Sequence, residues 1–243
     1  MQVDAIALQL RPRTMFEACD LGTRLVQANA ASVWATWTPL YALVAMVALA
    51  SGGIAGWLPL LILFWLKPWL DRSLLYVLSR AVFGQPTRWA DLWRDRRVVW
   101  WQQLASTLTA RRLSPWRSYT QPVFQLEGQA WNRARTRRRQ ILRGKLGAAL
   151  GMHGAYAQLE SILVFAALLL IGWVVGNGQG SPLAAYDGLG DGNEWFVVSS
   201  LYAAVVLLLE PFYVGAGFAM YLNRRVELEA WDIEQEFRLA FAR

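Results

Sequence analysis

A chain of 243 residues with 56% hydrophobic residues, a formal net charge of +7 and one cysteine is bounded at once. The lone Cys19 excludes an intrachain disulfide and a thiol-rich metal site, and the apolar fraction exceeds the roughly 45–50% of soluble domains. The excess is gathered into long uncharged blocks separated by charged ones, the distribution of an integral membrane protein, and the fourteen tryptophans suit membrane–water interfaces.

The N-terminal stretch carries Arg11 and Arg13 in polar surroundings, with no short apolar run and small-residue cleavage site behind it. The first apolar block is therefore expected to be a retained span. It covers 33–50, contains no charge, begins at Trp34 and Trp37, and ends at Gly52 and Gly53. At ~1.5 Å per residue a tilted helix of that length with its flanks crosses a hydrocarbon core of about 30 Å.

The second span is placed at 54–78 and is less regular. Its apolar part, Ile54 to Leu66, is followed by Lys67, Pro68, Asp71 and Arg72 before Leu74 to Leu78 resumes. One helix kinked near Pro68 and leaving the hydrocarbon around Trp69 accounts for this, with Lys67 snorkelling and pairing with Asp71 four residues on. A re-entrant hairpin is the alternative.

A cytoplasmic layer is expected over 79–147. Thr87 is placed as a helix N-cap with Asp91 in the first turn. Trp89, Leu92, Trp93, Trp100, Leu104 and Leu108 then recur at helical spacing, predicting an amphipathic helix at the interface or under the bundle, ended by Ser114-Pro115. The stretch from Tyr119 to Gly128, with Pro122 inside it, reads as irregular or extended. Arg133, Arg135, Arg137, Arg138, Arg139, Arg143 and Lys145 follow. They form a candidate lipid or partner surface: a flank that orients the next span and touches anionic lipid, with docking of an acidic protein as the alternative. Nucleic acid is disfavoured, because no recognition fold accompanies the charge.

Spans three and four are placed at 148–175 and 195–222, and a cytoplasmic C-terminal helix at 223–243 continues the last. Val226, Ala230, Ile233 and Phe237 give that helix an apolar line, while Glu227, Glu229, Asp232, Glu234 and Glu236 make it acidic. It is expected to fold back on the arginine-rich stretch. Direction follows from charge. Of the 24 Lys and Arg residues, three precede the first span, 17 lie from Lys67 to Lys145, and four follow the last span. The loops at 51–56 and 176–194 hold none, and the second holds Asp187, Asp191 and Glu194. The positive-inside rule then predicts an all-α, single-domain bundle of about four spans, with both termini and the central layer cytoplasmic. Two spans with two buried soluble helices would leave the sidedness a coincidence.

The residues with chemical potential are a candidate intramembrane polar site of Glu160, Glu210 and His153. An ionised carboxylate in hydrocarbon faces the bundle interior or a wet cavity and needs a partner. Glu160 lies two helical turns after His153, a spacing compatible with a proton relay or polar pocket. Glu210 precedes Pro211, and Gly215 and Gly217 one turn on would let another helix approach closely. A structural role for the acids, bonded within the bundle or to an arginine such as Arg80, weighs against transport and catalysis. His153 alone makes no metal site, and no phosphate loop, nucleophile elbow or HExxH occurs. No cofactor is expected.

Four groups of residues carry a family resemblance. They are Leu10-Arg11-Pro12-Arg13 with Glu17-Ala18 and Asp20-Leu21-Gly22; Trp65-Leu66-Lys67-Pro68 with Leu78-Ser79-Arg80-Ala81-Val82-Phe83-Gly84; Arg111-Arg112-Leu113-Ser114-Pro115 with Pro122-Val123 and Gln125-Leu126-Glu127-Gly128; and Glu210-Pro211-Phe212-Tyr213-Val214 through Tyr221-Leu222-Asn223-Arg224-Arg225 to Trp231-Asp232. The pattern resembles a bacterial inner-membrane protein family encoded beside MoxR-type AAA ATPases and von Willebrand-type-domain proteins. It is more distantly similar to the membrane domain found with some glycerophosphodiesterases. The resemblance implies partnership in an envelope-associated assembly, with no catalytic role for these motifs. The expected function is a non-enzymatic membrane scaffold, or a subunit of such a complex, in contact with membrane lipids and other protein subunits. The alternative is a transporter or permease subunit using the intramembrane carboxylates.

Overall fold

A computed structural model describes residues 13–102, 104–109, 112, 114–129, 131–176, 181–186 and 191–229. Among these residues all regular structure is helical: α1 (Met15–Ala28), α2 (Ala30–Ala50), α3 (Leu58–Ala81), α4 (Trp89–Arg94), α5 (Leu104–Leu108), α6 (Arg117–Gln125), α7 (Trp131–Leu142), α8 (Leu146–Val175) and α9 (Asp191–Glu229). Three stretches are long and apolar enough to cross a membrane: Ala30–Gly53, Leu146–Val175 and Asn193–Glu229. They match the first, third and fourth expected spans. Only 6% of the most apolar part of α8 is buried, against 39% and 44% for the other two. Ile162, Phe165, Leu170 and Trp173 stand exposed on it, an all-round apolar helix of the kind hydrocarbon stabilises.

The second expected span, α3, is one uninterrupted helix of 24 residues that passes through Pro68 and does not turn back as a hairpin. Its charges keep it out of the group of three apolar stretches.

The chain divides into two compact units. The first takes the chain up to Trp37, Pro68–Gly154 and Pro211 onward; the second takes Thr38–Lys67 and Ala155–Glu210.

The first unit is organised by capping and close backbone packing. Thr14 caps α1 through its hydroxyl, which accepts from the Glu17 N–H at 3.2 Å. The Asn223 side-chain amide exchanges two 2.9 Å hydrogen bonds with the backbone of Arg13, fixing the approach to α1 on α9. Ala18, Gly22 and Val26, one turn apart, are all buried and form the face that α9 meets. Gly22 lies where a Cβ would strike the Gly215 backbone, and Gly217 sits against Ser118 of α6 in the same way. Small residues at these positions let helix backbones touch.

Cys19 is half-buried on α1. Burial, with the Asp20 carboxylate beside it, pushes its thiol up to about 11. Since the thiolate is the nucleophile, folded protein at pH 8 is expected to react with iodoacetamide far more slowly than protein unfolded in SDS. Mass spectrometry of the adduct checks this; equal rates would mean that α1 is not packed as described.

The amphipathic segment departs from expectation. A single helix was expected along the Trp89–Leu108 stripe, but α4 stops at Arg94, a π-helical turn covers Arg97–Trp101, and α5 follows. The cause is α3. Arg72 donates to the carbonyls of Val98 and Val99, Trp69 Nε1 to that of Trp100 at 3.2 Å, and Tyr76 to the Asp95 carboxylate at 2.6 Å. Side chains that capture backbone carbonyls in this way open the helical ladder. Leu92 and Trp100 are buried as core, whereas Trp89, Trp93 and Trp101 are exposed. The helix also starts one residue later than predicted: Arg88 is the cap, and its N–H donates to Asp91 at 2.9 Å, holding that carboxyl below the usual range. Thr87 instead exchanges hydrogen bonds with Ser32, its N–H donating at 3.0 Å and its carbonyl accepting at 2.8 Å.

The stretch expected to be irregular around Pro122 is helix α6, almost wholly buried. The Gln125 amide donates to the Arg72 carbonyl at 2.7 Å and the Tyr119 hydroxyl to that of Ile141 at 3.0 Å. Tertiary bonds of this kind override the weak local propensity.

The expected C-terminal helix is present as a direct continuation of α9 to Glu229; its remaining positions, 230–243, lie outside the described residues, as does Asp187.

Candidate functional site

Two of the residues singled out in the sequence converge. Within the second unit, the Lys67 ammonium of α3 lies 2.6 Å from Glu160 Oε2 of α8 and 2.8 Å from Glu210 Oε2 of α9. The Lys67 and Glu210 side chains are 7% and 2% exposed and that of Glu160 is 20% exposed, so one largely buried cation is shared by two carboxylates. The Tyr202 ring lies 5.8 Å from the same ammonium. Three helices are joined at one nitrogen. Such a clamp is stronger in hydrocarbon than in water, because each charge would be costly if left alone.

Sequence reasoning missed Lys67 as the partner. It assigned the lysine to Asp71, since i,i+4 spacing permits that pair. The structure gives different partners. Lys67 takes Glu160 and Glu210, while Asp71, fully buried in the first unit, lies 3.2 Å from Arg117 Nε of α6. The signal was available: Lys67 ends an apolar run and is the counterpart of two acids that also sit in apolar runs. Arg80, considered as a partner for those acids, instead donates to the Tyr76 hydroxyl at 3.2 Å.

His153 belongs to the first unit, where its Nδ1 meets the Tyr213 hydroxyl at 3.1 Å. Among the described residues there is no group of three or more His, Cys, Asp or Glu side chains able to hold a metal ion.

The basic stretch is divided by its neighbours in the first unit. Arg137 of α7 binds the Glu127 carboxylate at 3.0 Å and also Glu229. Lys145 binds Glu227 at 2.9 Å, and Arg224 binds Glu227 at 2.6 Å. Glu127 also accepts from the Tyr221 hydroxyl at 2.6 Å. The predicted approach of the acidic C-terminal segment to the arginine-rich stretch is therefore made, by the continuing α9. Arg133, Arg135, Arg139 and Arg143 remain exposed, and Arg138 is half-buried. Ala134 and Ile141 supply the buried side of α7, so its arginines are carried on a surface fixed from beneath.

These features define an all-helical protein with three helices suited to crossing a membrane, an ion-paired polar centre and an arginine-bearing surface helix. No protein-family model, curated protein or solved structure matches the chain.

Proposed function

We propose that this chain is a non-enzymatic membrane scaffold of the bacterial inner membrane, with four spans and both termini cytoplasmic. In this reading α3 is the second of the four spans, and residues 79–147 with the end of α9 form a cytoplasmic layer that docks other subunits, a MoxR-type ATPase system among them. The observation that carries the reading is the division of charge on α7. Among the described residues Glu127, Glu227 and Glu229 pair with Arg137, Lys145, Arg224 and Arg225, while Arg133, Arg135, Arg139 and Arg143 stand exposed. Arginines gathered on one helix suit acidic protein surfaces and lipid headgroups. The 24-to-zero distribution of basic residues supports the sidedness. The engagement of both intramembrane carboxylates by Lys67 favours a helix clamp over a permease site.

The test is a triple charge reversal, Arg133→Glu, Arg135→Glu and Arg139→Glu. It should leave membrane insertion and the detergent elution profile intact while removing partners that co-purify with the native chain in mild detergent. Recovery of the native chain only as a lone monomer, at low salt and after cross-linking in cells, counts against a scaffold.

A further inference from the structure

A recess in the first unit, with about 400 Å³ of empty space, is walled by α3, α5, α6 and α7. Three guanidinium groups line it, from Arg72 of α3, Arg117 of α6 and Arg138 of α7, and among the described residues no carboxylate does. Asp71, outside the wall, pairs with Arg117 at 3.2 Å. Arg72 is placed differently. It is 2% exposed, and its bonds run to neutral acceptors: the carbonyls of Val98 and Val99 and the Thr107 hydroxyl. A guanidinium has five N–H groups, so donors remain after those three bonds. Arg138 is half-buried. Ser114 Oγ, from the turn before α6, also lines the recess and is buried without a hydrogen-bond partner among the described residues.

Charge held away from water without a counter-charge is costly, and an anion in the recess supplies what its wall lacks. The donor set selects the anion. A carboxylate is planar and is satisfied by a single guanidinium fork, whereas guanidinium groups from three helices with a hydroxyl suit the several oxygens of a tetrahedral phosphate. We propose that this recess is a phosphate-binding site, in which Arg72, Arg138 and Ser114 hold the oxyanion and Arg117 completes its wall. The phosphate has two sources, a free anion or the headgroup of an anionic phospholipid. Pro68 and Phe124 give the wall an apolar part that suits a lipid, and in the four-span reading Pro68 lies where α3 leaves the hydrocarbon. The site goes beyond the scaffold reading. Arg133, Arg135 and Arg139, reversed in the docking test, do not line the recess, so either reading can fail alone.

The test uses the full chain in a maltoside detergent and has two arms. In the first, inorganic phosphate replaces chloride at constant ionic strength while the thermal midpoint is followed. In the second, phosphatidylglycerol or phosphatidylcholine is added and native mass spectrometry counts the lipid retained. A saturable rise in midpoint marks a site for free phosphate; one retained phosphatidylglycerol in preference to phosphatidylcholine marks a headgroup site. Either result supports the proposal. Arg138→Gln should then weaken the binding observed by about tenfold or more, the loss expected for a charge-assisted hydrogen bond, and Ser114→Ala should weaken it by a smaller factor. Arg94→Gln, which removes the same charge from an exposed position on α4, should leave it unchanged. Arg72→Met also strips the Val98 and Val99 carbonyls of their donor, so the decision rests on Arg138→Gln, or on Ser114→Ala should Arg138→Gln fail to fold. Absence of binding in both arms, native-like binding by the deciding variant, or an equal loss in Arg94→Gln overturns the proposal.

Discussion

Replacing Arg117 with methionine is expected to destabilise the first unit by roughly 3–5 kcal/mol, the range found when one member of a buried ion pair is removed. Asp71 is fully buried on α3 and lies 3.2 Å from Arg117 Nε, whose side chain is 7% exposed. The guanidinium also covers the Tyr213 ring at 5.1 Å. Loss of the arginine thus strips a carboxylate of a neighbouring cation and an aromatic face of its cover. The reverse change, Asp71→Leu, leaves the guanidinium buried and should be of similar size. The double variant is expected to be milder than either single one, since apolar side chains of comparable volume often replace a buried pair at little cost. Thermal unfolding in one detergent, for the two single variants and the double, measures the coupling. Simple additivity would show that the pair is not a unit.

The same pair shows what was legible in the sequence and what was not. Long apolar blocks announced α2, α8 and α9, because a helix must satisfy its own backbone in hydrocarbon and needs about 20 apolar residues to cross it. Those are properties of a segment alone. Pairing between segments is not, and i,i+4 spacing supplied a plausible local partner for Lys67 that tertiary structure replaced. Two acids in apolar runs must find company, and that Glu160 and Glu210 find it in Lys67, with His153 at Tyr213 instead, depended on the packing of helices.

The short helices were the least legible part. Periodicity across Trp89–Leu108 described a stripe, but no pattern in that stripe tells that Arg72, Trp69 and Tyr76 of α3 will take its carbonyls and its Asp95. Likewise Pro122 argued against a helix by the rule for isolated segments, yet α6 contains it, held by bonds from Gln125 and Tyr119 to other elements. Both discrepancies have one origin: in a layer rich in arginine and tryptophan, long side chains from one helix reach the backbone of the next.

A Cβ at position 22 should be strongly destabilising. At Gly22 it would lie 2.5 Å from the Gly215 carbonyl carbon and 2.6 Å from the Ala216 nitrogen, and at Gly215 it would lie 2.7 Å from Val26 Cγ2 and 2.9 Å from the Gly22 oxygen. These are mostly backbone atoms, which cannot rotate aside, so α1 must move off α9 and take Ala18 and Val26 with it. Gly22→Val is expected to reach or exceed the ~1–3 kcal/mol typical of overpacking, and Gly22→Ala to show most of that effect. Gly151 of α8 provides the contrast, for a Cβ there meets nothing within 4 Å. Gly151→Ala should be neutral or stabilising by up to about 1 kcal/mol, as for any open mid-helix glycine. Gly22→Ala and Gly215→Ala combined should cost less than their sum, because the helix separation forced by one makes room for the other. Thermal midpoints in a single detergent rank these variants, and equal tolerance of alanine at positions 22 and 151 would show that α1 and α9 do not touch backbone to backbone.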